Sequence, residues 1–243
     1  MNRQTQSSAR DGFDGVRIVK PRNSLLSAPD QLRTDEYILR PIRASDARLD
    51  YEAVMESKEF LRKWEQTGWP EDNFTVEANR DDLMRMEQRH VDGESYSYTI
   101  ASPTAEQCLG CVYIFPTKAK LFTKAKVTPI GSLRWSEFDV AAYFWVRTSR
   151  MIDKLDERLL EAVTAWLQRE WRVRRQLVVT SELVEQQVAL LESSGHSLCF
   201  ELAYPNKAGR ELAYARGSAE RSEARLGTPD RPLPASGTKA NSP

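Results

Sequence analysis

The chain has 243 residues, and its 35 Lys plus Arg balance 35 Asp plus Glu, for a formal net charge of zero. Hydrophobic residues make up 40% and charged residues 29%, which gives enough apolar surface for a sizeable core in one large or two small domains. The balanced charge excludes the whole-protein field that gathers nucleic acid or an anionic membrane surface. Cys108, Cys111 and Cys199 are the three cysteines. That number is too small and odd for a disulfide scaffold, so reduced thiols are expected. The first residues contain no apolar leader run, and no window approaches the roughly 18 continuous apolar residues of a membrane span. A cytoplasmic protein without membrane contact is the expectation.

Residues 1–33 are polar and interrupted by Gly12, Gly15, Pro21 and Pro29. Residues from 206 onward are rich in Ser, Gly, Pro, Ala and Arg. Such segments bury too little surface to offset chain entropy, so both are expected to be disordered tails around one domain at 34–205. The second tail scatters Arg210, Arg216, Arg221, Arg225 and Arg231 among Glu211, Glu220, Glu223 and Asp230. That dilution argues against a nucleic-acid tail.

Between the tails, Tyr37–Ile42 predicts a short strand. Ser45 is the expected N-cap of a helix running to Trp64, with Leu49, Ala53, Phe60, Leu61 and Trp64 turned inward. After the break at Gly68, Trp69 and Pro70, Thr75 caps a second helix that stops at Gly93. Strands are predicted at 95–101 and 108–115, then at 138–146, the longest apolar run and so the expected central strand. Leu155, Leu159, Val163, Trp166 and Leu167 recur at helical spacing over 155–168. A strand at 176–180, a helix at 183–191 ending before Gly195, and a strand at 198–204 complete the domain. A helix that leaves the central strand and returns to another strand implies a parallel pair joined by a right-handed crossover. The fold class is therefore α/β with a mixed sheet of six or seven strands flanked by about four helices.

This order, with FWVR at 144–147 followed by a short loop and DERLLEAVTAWLQ at 156–168, resembles the GNAT superfamily of acetyl-CoA-dependent N-acetyltransferases. The resemblance covers residues 36–204. It implies an N-acyltransferase that takes acetyl-CoA as donor and a small-molecule or peptide primary amine as acceptor, with no metal. It implies that the pantetheine arm lies between two splayed strands, and that the diphosphate rests on the N-terminus of the next helix. The implied cofactor residues are Trp145, Val146, Arg147, Lys154 and Leu155. The loop is degenerate: the positions of the family's glycines fall on Ile152, Lys154 and Asp156, and Asp153, Asp156 and Glu157 add negative charge there. Arg147, Arg150 and Lys154 can offset it. The family's acid position on the last helix falls on Leu191, and its carboxylate base falls near Val140, leaving Glu137 and Asp139 as neighbouring candidates. Glu65 is the third catalytic candidate, placed to receive the acceptor's ammonium beside Trp64 and Trp69. The alternative reading is a non-catalytic GNAT-like binding module, homodimeric in one form, that has lost its cofactor chemistry.

Three further features have plainer readings. Cys108 and Cys111 form a C-x-x-C, but three residues of separation along a strand point opposite ways, so core thiols are expected rather than a metal site. The segment 116–136 carries Lys118, Lys120, Lys124 and Lys126 and reads as a solvated loop on the substrate side. Trp64, Trp69, Trp135 and Trp145 are candidates to line an acceptor cleft, whereas Trp166 and Trp171 are expected in the core.

Overall fold

The computed structural model describes residues 28–217; the outer parts of both predicted tails, 1–27 and 218–243, lie outside the described residues. The strands are β1 (Leu32–Arg33), β2 (Ile38–Pro41), β3 (Tyr96–Ala101), β4 (Cys108–Pro116), β5 (Lys126–Pro129), β6 (Val140–Val146), β7 (Gln176–Ser181), β8 (His196–Ala203) and β9 (Arg210–Arg216). The helices are α1 (Ala47–Glu56), α2 (Lys58–Glu65), α3 (Val76–Asp92), α4 (Thr148–Met151), α5 (Leu155–Arg169) and α6 (Glu185–Ser193). All nine strands form one sheet in the order β1-β2-β3-β4-β6-β7-β9-β8-β5. The pair β6–β7 is parallel, as the crossover through α5 requires.

Both faces of the sheet are covered. Val140, Ala142, Phe144 and Val146 of β6 face α5 and α6, whose Leu159, Val163, Trp166 and Leu191 belong to the same core. Ala141, Tyr143 and Trp145 face α1 and α2. This period-two division explains why β6 reads as an unbroken apolar run: both of its faces are buried. Trp166 and Trp171 pack edge-on against each other and against Tyr98, within the core as expected.

The predicted 45–64 helix is two helices. Residues 44–46 form a 3₁₀ turn, and Ser45 does not cap. Asp46 precedes α1, but its carboxylate is held by Arg40 at 2.6 and 3.0 Å instead of capping. Ser57 ends α1, its amide donating to Ala53 and Val54 carbonyls. Thr75 caps α3 through the Ala78 amide, and Gly93 ends it in the left-handed conformation, as predicted.

Three strands extend the predicted sheet, and each corrects a boundary. The N-terminal tail was expected to reach residue 33, yet β1 pairs with β2, and Pro29 accepts a hydrogen bond from the Tyr98 hydroxyl at 2.9 Å. The basic segment is ordered: Phe122 is buried against Phe115 and Trp135, and β5 pairs with β8 at the sheet edge. The C-terminal tail was expected to begin at residue 206, but β9 lies between β7 and β8 inside the sheet. Arg210 and Arg216 thus belong to the sheet and pair with Glu182, Glu201 and Glu161.

The C-x-x-C also behaves differently from expectation. Gly110 takes φ +141°, and the β3–β4 register shifts there, which makes a bulge. The extra residue turns Cys108 to the same side as Cys111, and both thiols donate to Asp50 Oδ1, at 3.6 and 3.4 Å. The three donor atoms lie within 4.8 Å of one another. Asn79 Nδ2 donates to the other Asp50 oxygen at 3.0 Å. Burial pushes the Asp50 carboxyl above its ordinary range, against the opposing pull of these hydrogen bonds. A carboxyl whose folded pKa is raised contributes stability that is intact below the unfolded value and is lost as pH rises through the folded one. Urea unfolding of the wild type and of Asp50→Asn from pH 4 to 8 should therefore show the wild type losing stability relative to the variant as pH rises. A pH-independent difference between the two proteins would contradict the assignment.

Candidate functional site

The site begins where two neighbouring strands part. β6 and β7 pair only at Val140–Gln176, Ala141–Leu177 and Ala142–Val178. Beyond that point β6 continues to Val146 bonded to β4, whereas β7 turns to β9 from Val178 to Ser181. Tyr143 is the first β6 residue past the last pair, and Ser181 ends β7; both line a cavity of about 340 Å³ on the α1–α2 side. Trp64 and Trp69, Met86 of α3, and Tyr113 and Phe115 of β4 supply its apolar walls. Trp64 meets Tyr143 edge-on, with centroids 6.2 Å apart. An aromatic cavity of this kind holds the apolar body of a small ligand.

A chain of charged and polar groups crosses the cavity. Tyr143 donates to Glu211 Oε2 at 2.8 Å. Lys207 donates to Glu211 Oε1 at 2.6 Å and lies 3.6 Å from Glu65 Oε2. Burial, reinforced by the Glu211 charge, holds the Tyr143 hydroxyl well above its ordinary pKa, so it stays protonated and acts as a hydrogen-bond donor. Burial likewise raises the Glu65 carboxyl, with Lys207 pulling it down and Glu211 pushing it up. Although 37% of the Glu65 side chain is exposed, the space it faces is the cavity itself, so protein surrounds most of the group. Gln66 fixes this geometry. It sits in the left-handed conformation at the end of α2, accepts from the Gly209 amide at 2.6 Å and donates to the Arg210 carbonyl at 2.8 Å.

The structure thus brings Glu65 of the three catalytic candidates to the cavity and leaves the other two elsewhere. Glu137 is paired with Arg134 and Arg175 at 3.1 and 2.7 Å, and Asp139 with Arg174 at 3.2 Å, at the start of β6 away from the parting. Their carboxyls are held below the ordinary range, Glu137 chiefly by its Arg134 hydrogen bond and Asp139 by Arg174 and Arg175 against the opposing effect of burial. Of the tryptophans, Trp64 and Trp69 line the cavity. Trp145 lies beneath it, donating to the Tyr113 hydroxyl at 3.2 Å, and Trp135 packs against Phe122 and Phe200. Lys207 and Glu211 lie in the segment read as a tail; Pro205, Asn206 and Gly209 ahead of β9 were the available hairpin signal.

The turn from β6 into α5 holds the five expected cofactor residues. Trp145 and Val146 end β6, both buried. Arg147 pairs with Glu56 at 2.8 Å. Lys154 takes φ 58°, the left-handed conformation a glycine would adopt without strain, so the turn keeps its shape without the glycine. Leu155 opens α5 and is fully buried.

No protein-family model matches this chain. No curated protein matches its sequence either. Solved structures do match in shape. The ribosomal-protein-S5-alanine acetyltransferase of Vibrio fischeri is 14% identical, with a TM-score of 0.56 over 78% of this chain and 97% of that one. RimL, a ribosomal L7/L12 alpha-N-protein acetyltransferase in complex with coenzyme A, is 17% identical, with a TM-score of 0.55 over 75% of this chain and 94% of that one. The microcin C7 self-immunity acetyltransferase MccE, in complex with acetyl-CoA and AMP, is 11% identical, with a TM-score of 0.57 over 79% and 98%. The chain has the GNAT acetyltransferase fold.

In a GNAT fold the thioester donor is expected between the splayed strands, with its diphosphate at the start of the next helix. The side chains present here do not fit that donor as they stand. Gln187 of α6 donates to the Phe144 carbonyl at 3.0 Å and accepts from Thr180 Oγ1 at 2.5 Å, so it spans the parting. At the start of α5, the Glu157 amide already donates to Asp156 Oδ1 at 3.0 Å. Arg150 and Lys154 are paired with Asp153 and Glu157, both at 3.2 Å. The Thr148 and Ser149 amides donate to Ser57 Oγ and Glu56 Oε1 at 3.2 and 3.3 Å. The GNAT-like frame is present, with the Gln187 side chain bridging the parting and the Asp156 carboxylate accepting from the Glu157 amide at the start of α5.

Proposed function

We propose that this chain transfers an acyl group from a thioester, with acetyl-CoA the donor implied by the GNAT resemblance, to a primary amine seated in the Trp64–Glu211 cavity. The observation that carries the reading is the position of Glu65: a carboxylate raised by burial, inside an aromatic cavity that opens on the parting of β6 and β7. Amide formation needs the amine delivered uncharged. A carboxylate with an elevated pKa can take the ammonium's proton near neutral pH more effectively than an ordinary one. Glu211 is the positioning group: it holds Tyr143 as a donor and Lys207 as a fixed cation, which limits charge repulsion between the two carboxylates. The aromatic walls exclude water and grip the acceptor's apolar part.

Two of the solved relatives are named for acetylation of ribosomal proteins, so the acceptor panel should pair small alkylamines with peptides bearing a free N-terminus. With millimolar acetyl-CoA, thiol release is expected to rise with the concentration of one or more of these amines. Release that stays at the buffer rate across the whole panel, from protein that titration shows to have bound the donor, would remove the transfer reading. What would then stand is the alternative, a non-catalytic GNAT-like binding module that has lost its cofactor chemistry.

A further inference from the structure

We infer that the chain keeps its donor seat closed with its own side chains, and that thioester donors bind only to a minor, opened form; this deepens the transfer reading and rests on it. Each internal contact occupies the position of one chemical part of the donor. Phe144 lies past the last β6–β7 pair, so its carbonyl has no strand partner on that side. An amide-bearing arm would satisfy it, and the side-chain amide of Gln187 does so instead, inside the core at 5% exposure. The second half of that amide is engaged by Thr180 of β7, so one side chain stitches together the two strands that a donor must separate. At α5, a helix of 15 residues, the Asp156 carboxylate occupies an amide of the first turn, where a phosphate would otherwise accept. Arg147, the cation nearest the strand end, is neutralised by Glu56.

These three contacts come from α6, α5 and α1, so the closure does not depend on a single loop. They also account for the missing glycines: a turn whose amides meet the chain's own oxygens has no bulky ligand to wrap. Opening requires the Gln187 bridge to break and Asp156 to turn away, and donor affinity is the intrinsic affinity multiplied by the fraction of chains that have done both.

The test is calorimetric titration of the full chain with desulfo-CoA, which binds without reacting. The wild type is expected to bind at least about 100-fold more weakly than the double variant Gln187→Ala/Asp156→Ala, with each single variant in between. If Gln187→Ala melts without a cooperative transition, Asp156→Ala combined with Glu56→Gln carries the comparison on the outer face of the seat, and about tenfold tightening is expected there. Wild-type binding within threefold of the opened variants overturns the inference. So does a folded double variant that binds no better than the wild type, because the seat is then absent and not merely filled. Amine-dependent thiol release by the double variant supports transfer as well. Tight binding without release keeps the closed seat and removes the transfer reading.

Discussion

Gly110→Ala is expected to lower the melting temperature by roughly 8–16 °C, the equivalent of about 3–5 kcal/mol for a chain of this size. Two costs combine. At φ +141° an L side chain is strained. The added methyl would also sit 2.1 Å from the Trp145 carbonyl oxygen and 2.8 Å from Val146 Cα. These are backbone atoms of β6, where Gly110 is paired directly with Val146 and Cys111 with Trp145, so relief requires β4 and β6 to separate. The same shift would undo the bulge that gathers Cys108 and Cys111 on Asp50 and would move the Trp145–Tyr113 pair beneath the cavity. Thermal unfolding followed by circular dichroism measures the effect directly. A variant that melts within about 2 °C of the wild type would show that the bulge relaxes freely and does not fix the site.

The second large effect is catalytic. Glu65→Gln keeps size and shape but cannot accept a proton, and kcat/KM for the amine should fall by about 10²- to 10³-fold at saturating donor. The pH profile carries the sign. A base works when ionised, so wild-type kcat/KM should rise with pH through the Glu65 pKa. Because burial raises that value, the acid limb should lie above the ordinary carboxylate range. The variant should lack this limb, while the alkaline limb set by the amine's own ionisation remains in both proteins. A variant whose kcat/KM stays within threefold of wild type, with the acid limb unchanged, would take Glu65 out of the chemistry.

How much of this was legible depends on how strongly each segment is buried. β6 and α5 stood out because their positions are buried on both sheet faces and along a helical stripe, so the apolar pattern was dense. Thr75 and Gly93 were readable because capping is local chemistry. β5 was not: it is an edge strand with a single half-buried apolar residue, Val127, between Lys126 and Thr128. β9 escaped because its inward positions on one face are Ala213 and Ala215, small residues that carry little signal. Glu211 and Lys207 were lost with it. Glu65 was found because it follows Trp64 at the end of an amphipathic helix, but its partners could not be. The glycine inside the β4 pattern was a signal for a bulge, and taking it up would have placed both thiols on one side.

The Gln66 link has a consequence for how the acceptor gets in. Because Gln66 binds both the Gly209 amide and the Arg210 carbonyl, the end of α2 and the β8–β9 turn are clamped into one rigid jaw that carries Glu65, Lys207 and Glu211 together. Guests of different girth must then be accommodated by the opposite jaw, around Met86 and Leu121. Selectivity for the amine head and tolerance of its tail would accordingly be set by separate parts of the molecule, and changes in one could be made without retuning the other.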